Sequence, residues 1–496
     1  MSAGLAKRVA AGLCVLVLVV IVSAESGAGS ASPGREVKVI QTTQNLSQKM
    51  VHLPDLSFTS AAPPKGVPVI KVDDGVQYQL FNGLGAAMTD TSAWLIEDEL
   101  SPTSARTLMA NLFGGSGIRL GFLRVPIGAS DFTRTGTPYS YDEMPAGQSD
   151  PQLEHFSIAH DKAYILPALR TALADNPGLV TLAVPWSAPS WMKANDSLTN
   201  VKHQGTLLPA DYATWAQYIV KFLQAYAAAG VPISEIAPQN EPEIPANYLG
   251  MEVPEAGEEQ LVTSYLLPAL RAAGLNPRIY GYDVGWGAKW SYADALSTSA
   301  VARDLTGLAW HCYAGPPTVM STVHDANPAL ATIVDECSPG LVYFSVSESI
   351  IASLRNWATT VALWNLALDP SGGPVEPPNG GCPNCTGVVT IDEHTHAVTY
   401  NRAYYQLGQV SDYIKPGAVR IASNNFVTYG YKPPAVHIAT PGLDDVAFRN
   451  PDGSEVLFAY NSATAPVRFA VQWHGQSFTY TVPASGTVTF VWNQPG

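Results

Sequence analysis

Charge is scarce in this sequence, and positive charge scarcest. Asp, Glu, Lys and Arg make up 14% of 496 residues, with 27 Lys+Arg against 41 Asp+Glu and a formal net charge of −14. So acidic a chain is a poor neutraliser of phosphates, which excludes nucleic acid or an anionic membrane surface as its main partner. Long apolar runs are nearly missing too. The one candidate, Val9–Val22, follows Lys7 and Arg8 and ends in Val22-Ser-Ala24. It is short for a membrane span, and its flanks are those of a secretory signal over residues 1–24, with an uncleaved anchor as the alternative. The mature chain is therefore expected to be secreted, with no stable membrane insertion. Cysteine is sparse: five in all, Cys14 leaving with the signal. Cys382-Pro-Asn-Cys385 is the only C-x-x-C, which disfavours zinc and suits a local loop-stapling disulfide in an exported chain. Cys312 and Cys337 are expected to be buried small hydrophobes. No G-x-G-x-x-G opens a helix after the first strand, and no G-x-S-x-G occurs in the mature chain, which argues against dinucleotide binding and serine hydrolysis. No cofactor and no metal is expected.

Apolar residues are plentiful, at 46%. From about Leu80 to Pro370 short apolar strands alternate with helical patterns. The strand candidates are Tyr78–Gly85, Ile118–Pro126, Val180–Trp186, Ile233–Pro238, Arg278–Tyr282, Gly307–Tyr313, Ala331–Asp335 and Thr360–Leu366. Helical spacing recurs over Asp161–Ala174, Tyr212–Ala229 and Glu258–Ala273. This rhythm predicts an α/β chain, a (β/α)8 TIM barrel, with an open doubly wound sheet as the alternative. The last fifty residues change character, to alternating strands without helices, with Asp452-Gly453 as a hairpin turn. An attached all-β sandwich domain follows from this. The expected organisation is signal 1–24, N-terminal strands 37–78 returning to the sandwich, barrel 79–405 and C-terminal sandwich 406–496.

In such barrels the working residues sit at the C-terminal ends of the strands. Those ends read Asp90; Arg124 to Asp131; Trp186 and Trp191; Gln239-Asn-Glu-Pro242; Asp283 and Trp286; Trp310-His-Cys-Tyr313; Asp335-Glu-Cys-Ser338; Trp364-Asn365. One rim thus gathers acids, amides and indoles, the chemistry of a sugar site. In Pro238-Gln-Asn-Glu-Pro-Glu243, Pro242 pushes Glu241 away from helix and holds it extended at the strand end. Two carboxylates are needed to break a glycosidic bond, and Glu241 and Glu336 end two non-adjacent strands. Arg124 is expected to partner the rim carboxylates. Strand alternation turns Asp335 away from Glu336, with Asp335 as the alternative nucleophile. Glu393-His-Thr-His396 lies between two strand-like runs and reads as a hairpin turn.

Phe81-Asn-Gly-Leu-Gly-Ala-Ala-Met-Thr-Asp90, Leu123-Arg-Val-Pro-Ile-Gly-Ala-Ser-Asp-Phe132, Pro185-Trp-Ser-Ala-Pro-Ser-Trp-Met-Lys193, Asn240-Glu-Pro242, Trp310-His-Cys-Tyr313 and Trp364-Asn-Leu-Ala-Leu-Asp-Pro-Ser-Gly-Gly-Pro374 form an ordered set. The set resembles glycoside hydrolase family 30, the family of glucosylceramidases and β-1,6-glucanases. The resemblance implies a barrel with a side sandwich built from both chain ends, and retaining hydrolysis without a metal. It implies Glu241 as acid/base and Glu336 as nucleophile, with Asp90, Trp186, Asn240 and Trp364 holding the terminal sugar and His311 and Tyr313 around the nucleophile. The general motif set places a glucosylceramidase-type β-glucosidase first, acting on a glycolipid. A β-1,6-glucanase on polysaccharide is the alternative, and a non-catalytic carbohydrate-binding protein a third reading, disfavoured by the presence of both glutamates.

Overall fold

The computed structural model describes residues 35–287, 290–338, 345–376, 380–381, 384–432 and 435–493. The expected signal, 1–24, lies outside them. Eight parallel strands close into a barrel: β1 (Gly83–Ala87), β2 (Phe122–Ile127), β3 (Val180–Pro185), β4 (Glu235–Ile236), β5 (Arg278–Gly285), β6 (Gly307–His311), β7 (Ala331–Glu336) and β8 (Ala358–Leu363). They pair in chain order, and β8 closes on β1 from Thr360↔Gly83 to Leu363↔Ala86. Ala87, Phe122, Leu182, Val184, Tyr280, Ala309, Ile333 and Ala362 share one buried cluster inside the barrel. Their neighbours Leu123, Val125, Ala183 and Val334 join the larger core shared with the helices. Both faces are covered, so the strands read as continuous apolar runs.

Two strands differ from expectation. Tyr78–Leu80 end a long sandwich strand, Val69–Leu80, and β1 begins only at Gly83. Gly83 has φ +132° and its Cα faces Gly121, a redirection that a side chain resists. β4 is two residues long, because Pro232 and Pro238 flank it and carry no N–H for the ladder. Among the helices, Tyr212–Ala228 buries Trp215, Ile219, Phe222, Leu223 and Tyr226 as its spacing predicts. The helix expected over Glu258–Ala273 runs Glu255–Ala272, with a wider π turn at Leu261–Leu266. Pro268 follows directly and removes one ladder donor. The helix expected from Asp161 starts at Ile165 after a short 3₁₀ turn. Among the described residues no helix is long and apolar enough to cross a membrane.

The sandwich takes strands from both ends of the chain. Its pairing order is Val51–Ser57, Glu36–Thr42, Thr487–Asn493, Ser454–Asn461, Leu443–Arg449, Val419–Ser423, Val69–Leu80, Val467–Trp473 and Gln476–Val482. Val69–Leu80 pairs with Val467–Trp473 through Val69 to Lys71 and with Val419–Ser423 beyond that, so it serves both layers. Phe58, Trp473, Phe478, Phe490 and Trp492 fill the space between the layers. The boundary expected at 405/406 falls inside the helix Arg402–Ser411. That helix bonds to both parts: Gln409 to Thr42 and Thr489, Ser411 to the Ile118 carbonyl.

Cys312 and Cys337 are buried as expected, but they are bonded to each other, with Cα atoms 5.0 Å apart. Each is the residue just beyond a strand end, β6 and β7. The Cys312 N–H donates to the Glu336 carbonyl at 3.0 Å, so adjacent parallel strands bring the Cα atoms into bonding range. The bridge closes a separation of 25 residues. Replacing both cysteines with serine is expected to lower the unfolding free energy by about 3 kcal/mol, read from the shift in denaturant midpoint under non-reducing conditions.

Candidate active site

Arg124 lies inside the mouth of the barrel, fully buried. Its Nη1 donates to Glu336 Oε2 at 2.5 Å, and its Nη2 to Asn240 Oδ1 at 2.7 Å and Asp283 Oδ1 at 3.1 Å. Its Nε pairs with Asp335 Oδ2 at 2.8 Å. The indole of Trp186 covers the guanidinium at 4.7 Å, and that of Trp364 lies 5.5 Å away. The two indoles stack on each other at 5.1 Å. Burial opposes the charge on Arg124, but Asp335, Asp283 and Glu336 outweigh it and hold the guanidinium ionised.

His311, the last residue of β6, joins the remaining carboxylates. Its Nδ1 is 3.0 Å from Glu241 Oε1 and 3.6 Å from Glu336 Oε1, and its Nε2 is 2.7 Å from Asp283 Oδ1. Burial disfavours a charged ring. Glu336, Asp283 and Glu241 together win and raise His311 well above the usual histidine range. Each ring nitrogen thus faces a carboxyl group, Nδ1 that of Glu241 and Nε2 that of Asp283. The closest carboxylate oxygens of Glu241 and Glu336 are within 4.8 Å of one another. Burial pushes Glu336 up; His311 and Arg124 pull against this, and Glu241 adds to the rise.

Local backbone irregularities aim these groups. Glu241 is not extended as Pro242 alone predicts: it has φ +46°. Its N–H donates to the Asp283 carbonyl and its carbonyl accepts from Ile244, both at 3.0 Å, which holds the left-handed turn. In β5, Tyr282 and Asp283 also have positive φ, 76° and 52°, where the register with β6 shifts. A bulge there turns Asp283 into the mouth. The register of β7 on β6 shifts between Val334 and Glu336. This breaks the alternation that would have turned Asp335 away, so Asp335 and Glu336 both reach Arg124. Burial, then Asp283, push Asp335 well above the usual carboxylate range. Burial works against charge on Asp283 as well, but Arg124 and His311 hold it below that range. Of the two, Asp335 is thus the one that takes up a proton more readily.

Asn240 is fixed through its side-chain oxygen on Arg124, and Tyr313 stands edge-on to His311 at 5.9 Å. Burial, then Glu336 and Glu241, push the Tyr313 phenol up. Trp310 belongs to the core, and Trp191 packs half-buried against it. Asp90 starts the helix Asp90–Glu97, and its carboxylate accepts from the Arg134 N–H at 2.7 Å and Tyr164 at 3.0 Å, and contacts His160 at 2.5 Å. These bonds tie the start of that helix to the loop after β2. Asp131 is a further carboxyl close to the catalytic pair. It is buried, and burial, then Glu336 and, less strongly, Glu241, push its carboxyl well above the usual range. Its Oδ2 accepts the Gly381 N–H at 3.2 Å and its carbonyl the Glu376 N–H at 2.8 Å. Tyr248 is the other unforeseen neighbour: burial, then Glu241, Asp131, Glu336 and Glu376, push its phenol up. Asp131 closes the quoted stretch Leu123–Phe132, so its signal was present in the sequence. Tyr248 sits in a loop with no motif. Of the expected disulfide, Cys385 is buried and bridged, while Cys382 lies outside the described residues.

Two facing carboxylates, stacked indoles and a fixed amide at the C-terminal mouth of a (β/α)8 barrel define a carbohydrate-cleaving hydrolase. Residues 81–414 match the glycosyl hydrolase family 30 TIM-barrel domain and residues 417–490 the family 30 beta sandwich domain. The chain belongs to glycosyl hydrolase family 30 and is an O-glycosyl hydrolase. It is 33% identical to the endo-1,6-beta-D-glucanase neg1 of Aspergillus fumigatus over 431 residues, 83% of this chain and 85% of that one. Identity to the lysosomal acid glucosylceramidase of Mus musculus is 28% over 449 residues, 84% of this chain and 82% of that one. The solved structure of the endo-beta1,6-glucanase BT3312 superposes with a TM-score of 0.79 at 28% identity, covering 93% of this chain and all of that one.

The proton placement separates two neighbouring acids. Asp335→Asn, which mimics a protonated carboxyl, is expected to change the unfolding free energy by less than about 1 kcal/mol and to keep turnover. Asp283→Asn removes the charged partner of Arg124 and is expected to cost about 3–5 kcal/mol. Denaturant midpoints of the two variants check this.

Proposed function

We propose that this chain is a secreted endo-β-1,6-glucanase that cleaves with retention of configuration. The observation that carries the chemistry is the spacing of Glu241 and Glu336, one carboxylate oxygen of each lying within 4.8 Å of the other. So close an approach matches the short separation of a retaining pair rather than the wider one of an inverting pair, and suits direct attack on the anomeric carbon. Arg124 holds Glu336 by direct contact and assigns the standing negative charge to it. Glu336 then attacks C1, the C1–O bond breaks, and Glu241 gives its proton to the departing oxygen. In the second step Glu241 takes a proton from water, whose oxygen displaces Glu336 from C1. Asn240 is oriented by Arg124 so that its NH2 is the group left to donate to a sugar hydroxyl. Trp186 and Trp364 offer apolar faces to the ring.

The choice of glucan over glycolipid reverses the order in which the motifs alone placed the two. It is supported by the higher identity to the fungal endo-1,6-glucanase, and by the polar groups Asp131, Tyr248 and Glu376 beside the catalytic pair, which suit a hydroxylated leaving group better than an alkyl chain. Secretion is supported by the expected signal and by the Cys312–Cys337 bridge, which persists in an oxidising compartment.

Incubation with linear β-1,6-glucan is expected to release short β-1,6 oligomers, with the β-anomer formed first by NMR. Glucose from glucosylceramide with the glucan untouched would replace the substrate assignment, and an α-anomer the mechanism. Glu336→Gln is expected to abolish turnover in a folded protein. Glu241→Ala is expected to lose about 10²–10⁴-fold on glucan and, with azide added, to form a β-glucosyl azide from an activated aryl glucoside.

A further inference from the structure

The loop between β2 and the helix Ile165–Asp175 holds a second cluster of ionisable groups that the hydrolytic chemistry does not use. Asp142 is 2% exposed, and neither of its carboxylate oxygens accepts a hydrogen bond. It faces the carboxylate of Asp150 and the ring of His155, and one ligand atom from each lies within 4.8 Å of the other two. The turn that carries the latter two is built to hold them. Asp150 Oδ2 accepts the His155 backbone N–H at 2.7 Å and stands 2.9 Å from His155 Nδ1. The Asp150 carbonyl accepts the Leu153 N–H at 2.9 Å, with Leu153 at φ +53°. The Lys221 ammonium is nearby but gives its hydrogen bond to the Leu153 carbonyl, at 2.6 Å. Two carboxylates brought together, the more buried one without a donor, call for a cation between them.

We propose that Asp142, Asp150 and His155 form a binding site for a divalent transition-metal cation of the zinc class. An imidazole among the ligands favours zinc over calcium, which takes oxygen ligands alone. The side chain of His155 is 66% exposed, so the fourth position faces solvent and takes water. Binding requires neutral His155, whose Nδ1 gives up the proton it otherwise shares with Asp150. The site has a mechanical role. The Asp142 carbonyl accepts the Trp191 indole N–H at 2.9 Å, and the next residue, Glu143, accepts the Ser190 N–H at 3.2 Å. A metal here braces the loop after β2 at Asp142 and Glu143, where these two bonds join it to the loop after β3.

The test uses the full mature chain, stripped with EDTA, exchanged into chelator-free buffer and mixed with zinc chloride or calcium chloride. The readouts are metal retained through gel filtration, by mass spectrometry, and the thermal midpoint. One zinc per chain and a raised midpoint are expected, with no response to calcium. Asp142→Asn and His155→Ala are each expected to weaken zinc binding roughly 100-fold. His155 is exposed enough that its variant folds, and Glu336→Gln should bind zinc as the parent does, which separates this site from the catalytic cluster. No retained zinc, equal retention by His155→Ala, or a midpoint that Asp142→Asn raises while zinc leaves the parent unchanged would each overturn the proposal; the last would mean a shared proton only.

Discussion

A single buried guanidinium sets the geometry of the barrel mouth. Arg124 leaves β2 and touches the turn after β4, the bulge of β5 and the end of β7, beside the stacked indoles that follow β3 and β8. Its planar fork has enough donors to hold Asn240, Asp283, Asp335 and Glu336 at once, where a lysine has only three. Burying an ion is costly, and the cost is offset only while the partners stay in place. The same arrangement that stabilises the charge therefore fixes the catalytic side chains.

The regular strand geometry of a barrel does not deliver those partners. A bulge in β5 turns Asp283 inward, a shift in β7 brings Asp335 and Glu336 to the same guanidinium, and a left-handed residue presents Glu241. Each is a departure from ideal backbone, held by specific hydrogen bonds or by the Cys312–Cys337 bridge just beyond His311 and Glu336. Strain is concentrated where the chemistry is and is supported by the covalent and hydrogen-bonded structure around it. The two acids are also driven apart: burial and Asp283 push Asp335 up, while Arg124 and His311 hold Asp283 down.

Much of this was legible in the sequence, because strand ends in a barrel point to one rim and residue types there are not random. The alternation of strands and helices gave the barrel, and the late alternating runs gave the sandwich. Glu241, Glu336, Trp186, Asn240, His311 and Trp364 all meet where the reading put them. The rest was hidden for identifiable reasons. Asp131 lies inside a quoted motif, and only three-dimensional placement shows its carboxyl close to Glu336 and Glu241. The inward turn of Asp335 depends on a register shift, which a period-two rule cannot anticipate. The Cys312–Cys337 bridge depends on adjacency of β6 and β7 rather than on spacing along the chain. The β1 boundary slipped because an apolar strand of the sandwich runs almost directly into the barrel.

The pairing of Glu36–Thr42 with Thr487–Asn493 has a consequence for how the molecule comes into being. Gln41 meets Tyr480 at a separation of 439 positions, so Glu36–Thr42 can pair early with Val51–Ser57 but finds Thr487–Asn493 last. The barrel can assemble as its strands arrive, each beside the one before. The sandwich cannot: Val37, Val39 and Ile40 stay bare until the final strands are made. The long wait leaves an apolar edge available to a chaperone or to a neighbouring chain throughout synthesis. Glu36–Thr42 and Thr487–Asn493 are one structural place, and losing either strand opens the same seam.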